Sequence, residues 1–207
     1  MMRPRADSLS FLYVPLVLAA LGVSAIAPYD RPTWFLEVAP VLIALPLLAA
    51  TRRRFPLSDL LLICIAVHCL ILIAGGHWTY ARVPLGDWLR QAWDLARNPY
   101  DRLGHFAQGF VPALVAREIL LRRQVLRRPG FLPFLVVCIC LAISATYELI
   151  EWAAAVLLGQ GADEFLGTQG DPWDTQWDMA MALIGATTAL VTCSRLQDRA
   201  LARLPPP

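Results

Sequence analysis

Residues 131–158 read FLPFLVVCICLAISATYELIEWAAAVLL, and the reading of this stretch decides the fold. Crossing a bilayer takes about 20 apolar residues, so the run is long enough to span one. Inside it stand two carboxylates, Glu148 and Glu151, within Tyr147-Glu148-Leu149-Ile150-Glu151-Trp152. Ionisable side chains at membrane depth are costly and turn toward a protein interior or a watery cavity, not toward lipid. This helix therefore needs partners from other helices, and the chain reads as a bundle with a polar site inside it.

Composition agrees. At 207 residues, 57% hydrophobic and 16% charged, with mean hydropathy +0.54, the chain is too apolar for a soluble domain of its size. The fold class is all-α, a polytopic transmembrane helical bundle forming a single integral membrane domain over residues 1–207 with the lipid bilayer as partner. Apolar runs predict six spanning helices, at about 9–27, 34–50, 57–75, 99–121, 131–158 and 172–194. All 18 basic residues are Arg, and the net charge is only +2, so no nucleic-acid surface is implied. The Arg residues group in alternate gaps: Arg3 and Arg5; Arg52 to Arg54; Arg122, Arg123, Arg127 and Arg128; Arg195, Arg199 and Arg203. Under the positive-inside rule those segments and both termini are cytoplasmic. The other gaps are mixed or acidic, as with Asp163, Glu164, Asp171 and Asp174. Arg3 and Arg5 before an apolar run, with Ala25-Ile26-Ala27 after it, also fit a cleaved signal peptide. A run of about 19 residues exceeds the usual apolar core of roughly 7 to 15, so a retained first helix is expected. Cys64, Cys69, Cys138, Cys140 and Cys193 all fall inside spans without chelating or CxxC spacing, and read as small packing residues.

The third gap predicts structure of its own. Leu85, Trp88, Leu89, Ala92, Trp93 and Ala96 recur at helical spacing, with Asp87, Arg90, Asp94 and Arg97 opposite them. This predicts an interfacial helix at about 84–97, its Trp residues in the headgroup layer or lying as a lid over the bundle. The fourth and sixth spans then open alike, with Asn98-Pro99-Tyr100-Asp101 and Asp171-Pro172-Trp173-Asp174. Each supplies an N-cap residue, a Pro and an early acid, so Asp101, Asp171 and Asp174 are expected chiefly to cap. Capping does not explain His105 or Asp178, four residues further on.

Depth brings these residues together. At 1.5 Å per residue, His105 and Asp178 lie about 10 Å below the outer helix ends, Glu151 about 12 Å and Glu148 about 16 Å. Three helices thus aim titratable groups at one layer, and His105, Glu148, Glu151 and Asp178 form the candidate polar cluster. Gln108 shares a face with His105; His77 sits at the rim; Asp101 and Asp174 complete the surroundings. Three uses of such a cluster stand side by side: an interhelical hydrogen-bond network that specifies packing, a pocket for acid–base chemistry or headgroup binding, and a divalent metal site. One imidazole with several carboxylates suits Mg, Mn or Zn, but no HExxH-type spacing sharpens the metal reading, which ranks behind the other two. Of the other polar residues, His68 reads as a hydrogen-bonded core His, Glu37 and Asp59 lie near helix ends within reach of water, and Arg117 and Glu118 read as anchors at the cytoplasmic interface. The stretch 159–170, with its Gly and acidic residues, reads as an outer loop.

The runs NPYDRLGHFAQGF at 98–110, YELIEW at 147–152 and GDPWDTQWDM at 170–179 closely resemble the YjdF-like inner-membrane proteins, a family without an assigned activity. More distantly, Asp101-Arg102-x-x-His105-Phe106, the Glu-bearing helix, and Asp174 followed by Gly185-Ala186 resemble VanZ-like proteins, some of which are linked to glycopeptide-antibiotic tolerance. There an Asn often stands near the place of Asp178 and Gln replaces the second Glu. What the resemblance implies is a multi-pass protein of the bacterial inner membrane, with no reaction attached. Three function classes follow: an outward-facing pocket that binds or processes a lipid-linked or envelope substrate, enzymatically or otherwise; an ion- or proton-coupled transporter, for which membrane-depth carboxylates are also typical; and a membrane scaffold with a structural polar network. The sequence carries no signal for oligomeric state.

Overall fold

The computed structural model describes residues 6–158 and 168–204. All regular structure among them is helical: α1 (Ala6–Ser24), α2 (Arg31–Thr51), α3 (Asp59–Trp78), a 3-10 turn (Tyr80–Arg82), α4 (Pro84–Ala92), α5 (Tyr100–Arg122), a 3-10 turn (Pro129–Phe131), α6 (Leu132–Leu158) and α7 (Asp174–Leu201). Four of these, α2, α3, α7 and α6 with its leading turn, are long and apolar enough to cross a membrane. In α1 the described apolar part, Tyr13–Ser24, is shorter. At 23 residues α5 is as long as a span, but it carries Asp101, Arg102, His105, Arg117 and Glu118. Most of the read loop 159–170 lies outside the described residues.

Two apolar cores share α3. One joins it to α1 and α2 through Val17, Trp34, Val38, Val41, Cys69 and Ile73. The other joins it to α5, α6 and α7 through Leu61, Leu114, Val136, Cys140, Ala186 and Ala189. The tightest pair is α5 with α7. There is no room for a Cβ at Gly109, which faces the Ala182 carbonyl, nor at Gly185, which faces the Phe106 carbonyl. Small residues let the two backbones touch, the packing that lipid-immersed helices favour. Since α2 packs on α3, and α6 on α5 and α7, α2 and α6 flank a gap between the two cores.

Several expectations change here. The interfacial helix read at 84–97 ends at Ala92. Asp94 takes a positive φ of 49°, and the Leu95 amide bonds back to the Arg90 carbonyl at 2.9 Å; this left-handed C-terminal motif stops the helix. Arg97 is thereby freed from the α4 ladder and turns to the acids of α5 and α7. Asp101 and Asp174, read as caps, give their carboxylates to Arg97 and Arg102 instead. Local capping belongs to the residues before them. Asn98 Oδ1 accepts from the Tyr100 amide at 3.0 Å, and Asp171 Oδ1 from the Trp173 amide at 2.9 Å. Arg117 and Glu118 are buried ties between helices, not interface anchors. Arg117 donates to Gln197 Oε1 at 3.1 Å and Asp198 Oδ1 at 2.7 Å. Glu118 accepts from the Ser58 amide at 2.9 Å and the Ser58 hydroxyl at 2.6 Å, holding the start of α3. All five cysteines are free thiols.

Candidate functional site

The gap between the cores is a cavity of about 160 Å³. Its polar lining comes from Glu37 of α2, His68 of α3, Tyr80 of the 3-10 turn, Asp101, His105 and Gln108 of α5, and Tyr147 and Glu151 of α6; Pro40, Leu72, Pro112 and Ile143 supply apolar wall. Among the described residues the lining holds carboxylates, imidazoles and phenols but no Arg, and most of the surface it turns to the cavity is apolar.

Each wall follows from local sequence. Pro40 and Pro112 interrupt α2 and α5 at the cavity, and a Pro inside a helix leaves the carbonyl four residues earlier without its amide partner. For Pro40 that carbonyl belongs to Leu36, and the Tyr147 hydroxyl stands 3.5 Å from it and 3.3 Å from Glu37 Oε2. Tyr147 thus bridges α6 to α2 across the gap. The Tyr80 ring is seated between α3 and α5, because a Cβ at Gly75 or Gly104 would press into it at 2.5–2.6 Å. Thr79, with φ 60° and ψ 148°, turns the chain to place that ring, a conformation that costs a β-branched residue about 1–3 kcal/mol. Burial, with Glu37 beside it, holds the Tyr80 phenol well above its ordinary pKa, so it remains a hydrogen-bond donor.

Beside the cavity, at the N-terminal ends of α5 and α7, lies an ion-pair cluster. Arg97 meets Asp101 at 3.1 Å, Asp171 at 3.5 Å and also Asp174. Arg102 meets Asp171 at 3.2 Å, Asp174 at 2.9 Å and also Asp178. His105 connects cluster to cavity: its Nε2 lies 3.4 Å from Asp101 Oδ1 and 3.8 Å from Asp178 Oδ2, and its Nδ1 3.8 Å from Glu148 Oε1. Gln108 Oε1 stands 3.0 Å from the same Nδ1.

The chain matches the family model described as predicted membrane protein (DUF2238) over residues 9–199. It belongs to that family. It is also 52% identical, over 202 residues, to the inner membrane protein YjdF of Escherichia coli (strain K12), a match covering 98% of this chain and 95% of that protein. No solved structure matches it. Neither match shows the likeness to VanZ-like proteins read from the sequence.

In this DUF2238 protein the four residues read as a cluster do not all meet in one contact. His105, Asp178 and Glu148 stand side by side, while Glu151 joins His105 by lining the same cavity. Of the surrounding residues, Gln108 and Asp101 contact His105, and Asp174 pairs with the two Arg residues. His77 is elsewhere: its Nδ1 lies 2.9 Å from the Ser24 carbonyl, and its own carbonyl accepts from the Tyr29 amide. It ties the α1–α2 turn to α3. His68, read as a hydrogen-bonded core residue, lines the cavity with a buried Nε2 that has no partner among the described residues. Glu37, read as close to water, is 3% exposed, because α2 begins at Arg31 and puts it two turns inside. Arg97 and Arg102 carried no site reading at all; the signal that pointed to them was Asp101, Asp171, Asp174 and Asp178 at two helix starts with no basic partner assigned.

Proposed function

We propose that this protein is a six-span inner-membrane protein, both termini cytoplasmic, with α4 on the outer surface. Its intramembrane cavity takes the polar headgroup of a lipid-linked or envelope substrate. The observation that carries the reading is the cavity itself: acids, imidazoles and phenols from α2, α3, α5 and α6 lining one space inside an apolar bundle. Among the described residues, His68 Nε2 at the cavity and Glu148 Oε1 beside His105 are buried without hydrogen bonds, as are Thr33 Oγ1, Ser144 Oγ and Arg122 Nη2 elsewhere in the bundle. The gap between α2 and α6 gives a lateral way in from lipid, latched by Tyr147. A lining with acids and no Arg favours hydroxyl- or amine-bearing headgroups over a bare phosphate. His105, Glu151 and Glu37 are the acid–base candidates, with Tyr80 and Tyr147 as donors. Exposed Leu85, Trp88 and Trp93 on and just after α4 support its place at the interface.

Photo-crosslinking in membranes tests the site, using diazirine-bearing phosphatidylglycerol and a diazirine-bearing polyprenyl-linked sugar. Labelled peptides are expected to contain Glu37, Tyr80 or Tyr147. Ile143→Trp, which fills the cavity, should reduce labelling at least tenfold at unchanged thermal stability. Equal labelling of that variant would overturn the reading. The topology has its own check: a reporter fused after Arg203 should work only if it is active in the cytoplasm, and one inserted between residues 159 and 170 only if it is active outside.

A further inference from the structure

We propose that Asp101, His105 and Asp178 form a binding site for one divalent cation of the Mn²⁺ or Zn²⁺ class. All three are buried, and one ligand atom from each lies within 4.8 Å of the others. The argument lies in how the oxygens are shared out. Asp101 gives Oδ2 to Arg97 at 3.1 Å and turns Oδ1 toward His105 Nε2 at 3.4 Å. Asp178 gives Oδ1 to Arg102 and turns Oδ2 toward the same nitrogen at 3.8 Å. On the far side of the ring, Nδ1 faces Gln108 Oε1 at 3.0 Å. In the tautomer with Nδ1–H donating to that oxygen, the Nε2 lone pair faces two carboxylate oxygens, a set of three acceptors that a cation would complete. Metal-ligating His residues hand their other N–H to an oxygen acceptor in this way, and ligating carboxylates are themselves held by outer hydrogen bonds.

Two further observations show an excess of acidic groups around the ring, the first on its Nδ1 side, opposite the proposed site. Glu148 is 8% exposed, and its Oε1, 3.8 Å from His105 Nδ1, has no hydrogen-bond partner among the described residues. A carboxylate buried in that state is costly unless positive charge lies nearby. In the adjoining cluster, Asp101, Asp171, Asp174 and Asp178 set four formal negative charges against the two positive charges of Arg97 and Arg102. Two carboxylates with one imidazole suit Mn²⁺ or Zn²⁺ and not a thiolate-seeking metal. The spacing is set by the close approach of α5 and α7, since His105 stands one turn before Gly109 and Asp178 one turn before Ala182. This site does not depend on a headgroup entering the cavity.

The test is Mn²⁺ binding to the full chain in detergent after EDTA stripping, read by electron paramagnetic resonance, with Zn²⁺ by calorimetry. One ion per chain is expected. His105→Gln and Asp178→Asn should abolish saturable binding. Gln108→Leu, which removes no charge, should weaken it about 10–100-fold, the usual effect of losing a group that orients a ligand. Asp87→Asn, on exposed α4, should leave it unchanged. Circular dichroism and gel filtration confirm that each variant is folded, and Gln108→Leu keeps the test open if Asp178→Asn is not. No binding to the folded chain at millimolar Mn²⁺, or binding unmoved by both His105→Gln and Gln108→Leu, would overturn the proposal. His105 would then be an imidazolium held between two carboxylates.

Discussion

The two ends of the α5–α7 pair use the same residue types and arrive at different states. At the C-terminal end, both oxygens of Glu118 are occupied by Ser58, and both ends of the Gln197 amide are used, the oxygen by Arg117 and the nitrogen by the Leu114 carbonyl at 2.8 Å. Arg122 adds a contact to Glu118 and lies 3.9 Å over the Phe55 ring. These groups do not line the cavity between the cores, and among them the Arg122 Nη2 is buried with no hydrogen-bond partner among the described residues. At the N-terminal end, acids outnumber Arg residues, Glu148 and His68 leave atoms unpaired, and the cluster borders open volume. A polar network whose purpose is packing closes on itself, because an unmade buried hydrogen bond costs about 1–3 kcal/mol. One that leaves groups unpaired beside a cavity retains capacity for something else. The C-terminal end ties α5 to α3 and α7, and the N-terminal end borders the cavity between the cores.

The largest expected effect is Glu118→Leu. It strands the Ser58 amide and hydroxyl and leaves Arg122 only the Pro56 carbonyl and the Phe55 ring, and breaking a buried charged network of this kind costs about 3–5 kcal/mol. Thermal unfolding in detergent should show the loss, and a shift corresponding to less than about 1 kcal/mol would break the comparison by making the closed end dispensable. Next comes Gly109→Ala. A Cβ there meets the Ala182 carbonyl, so α7 must move, at a cost of about 1–3 kcal/mol. Because both ends share that seam, the variant should lose stability and also weaken Mn²⁺ binding; stability loss with unchanged Mn²⁺ affinity would separate the site from the seam.

Glu151→Gln sharpens the contrast from the other side. Gln is nearly isosteric, and in the cavity it replaces a charge that is expensive at membrane depth. Stability should stay within about 1 kcal/mol while lipid photo-labelling falls at least tenfold. The corresponding Glu118→Gln should behave in the opposite way, since it removes the charge beside Arg122 and makes the Ser58 hydroxyl turn from donor to acceptor. Proportional loss of stability and labelling in Glu151→Gln would assign the N-terminal end to packing as well.

What the sequence made legible follows what period and depth can encode. The apolar runs located the helices because burial in lipid is a one-dimensional property, and α2, α3, α6 and α7 stand where those runs lie. Depth counted from helix ends groups His105, Glu148, Glu151 and Asp178, and of these His105 lies 3.8 Å from both Glu148 and Asp178. Azimuth and turn geometry were not legible. Arg97 looked like part of an amphipathic ladder until Asp94 ended α4, and only the reversal sends it to the acids. Glu37 was placed too shallow because α2 starts at Arg31, three residues before its first strongly apolar residue. Tyr80 and Tyr147 are invisible to a search for charge, yet they close the cavity.

The smallest expected effect belongs to Asp171→Asn, and it tests where the contrast between the ends should vanish. Asp171 accepts from the Trp173 amide at 2.9 Å through Oδ1, and its Oδ2 lies 3.2 Å from Arg102 and 3.5 Å from Arg97. Asn caps about as well as Asp, so the local turn should survive. What is lost is one charge shared with Arg residues that keep Asp101, Asp174 and Asp178. The Asp171 side chain is 24% exposed, and partly solvated pairs contribute about 0–1 kcal/mol. The destabilisation should therefore be under about 1 kcal/mol and shrink as salt is raised. At the opposite end Asp198, 56% exposed on its pair with Arg117, should respond to Asn just as weakly. If Asp171→Asn instead costs more than about 2 kcal/mol, solvent screening does not reach it. Both Arg residues would then depend on Asp171 itself, and Asp178 would be less free to turn an oxygen toward His105.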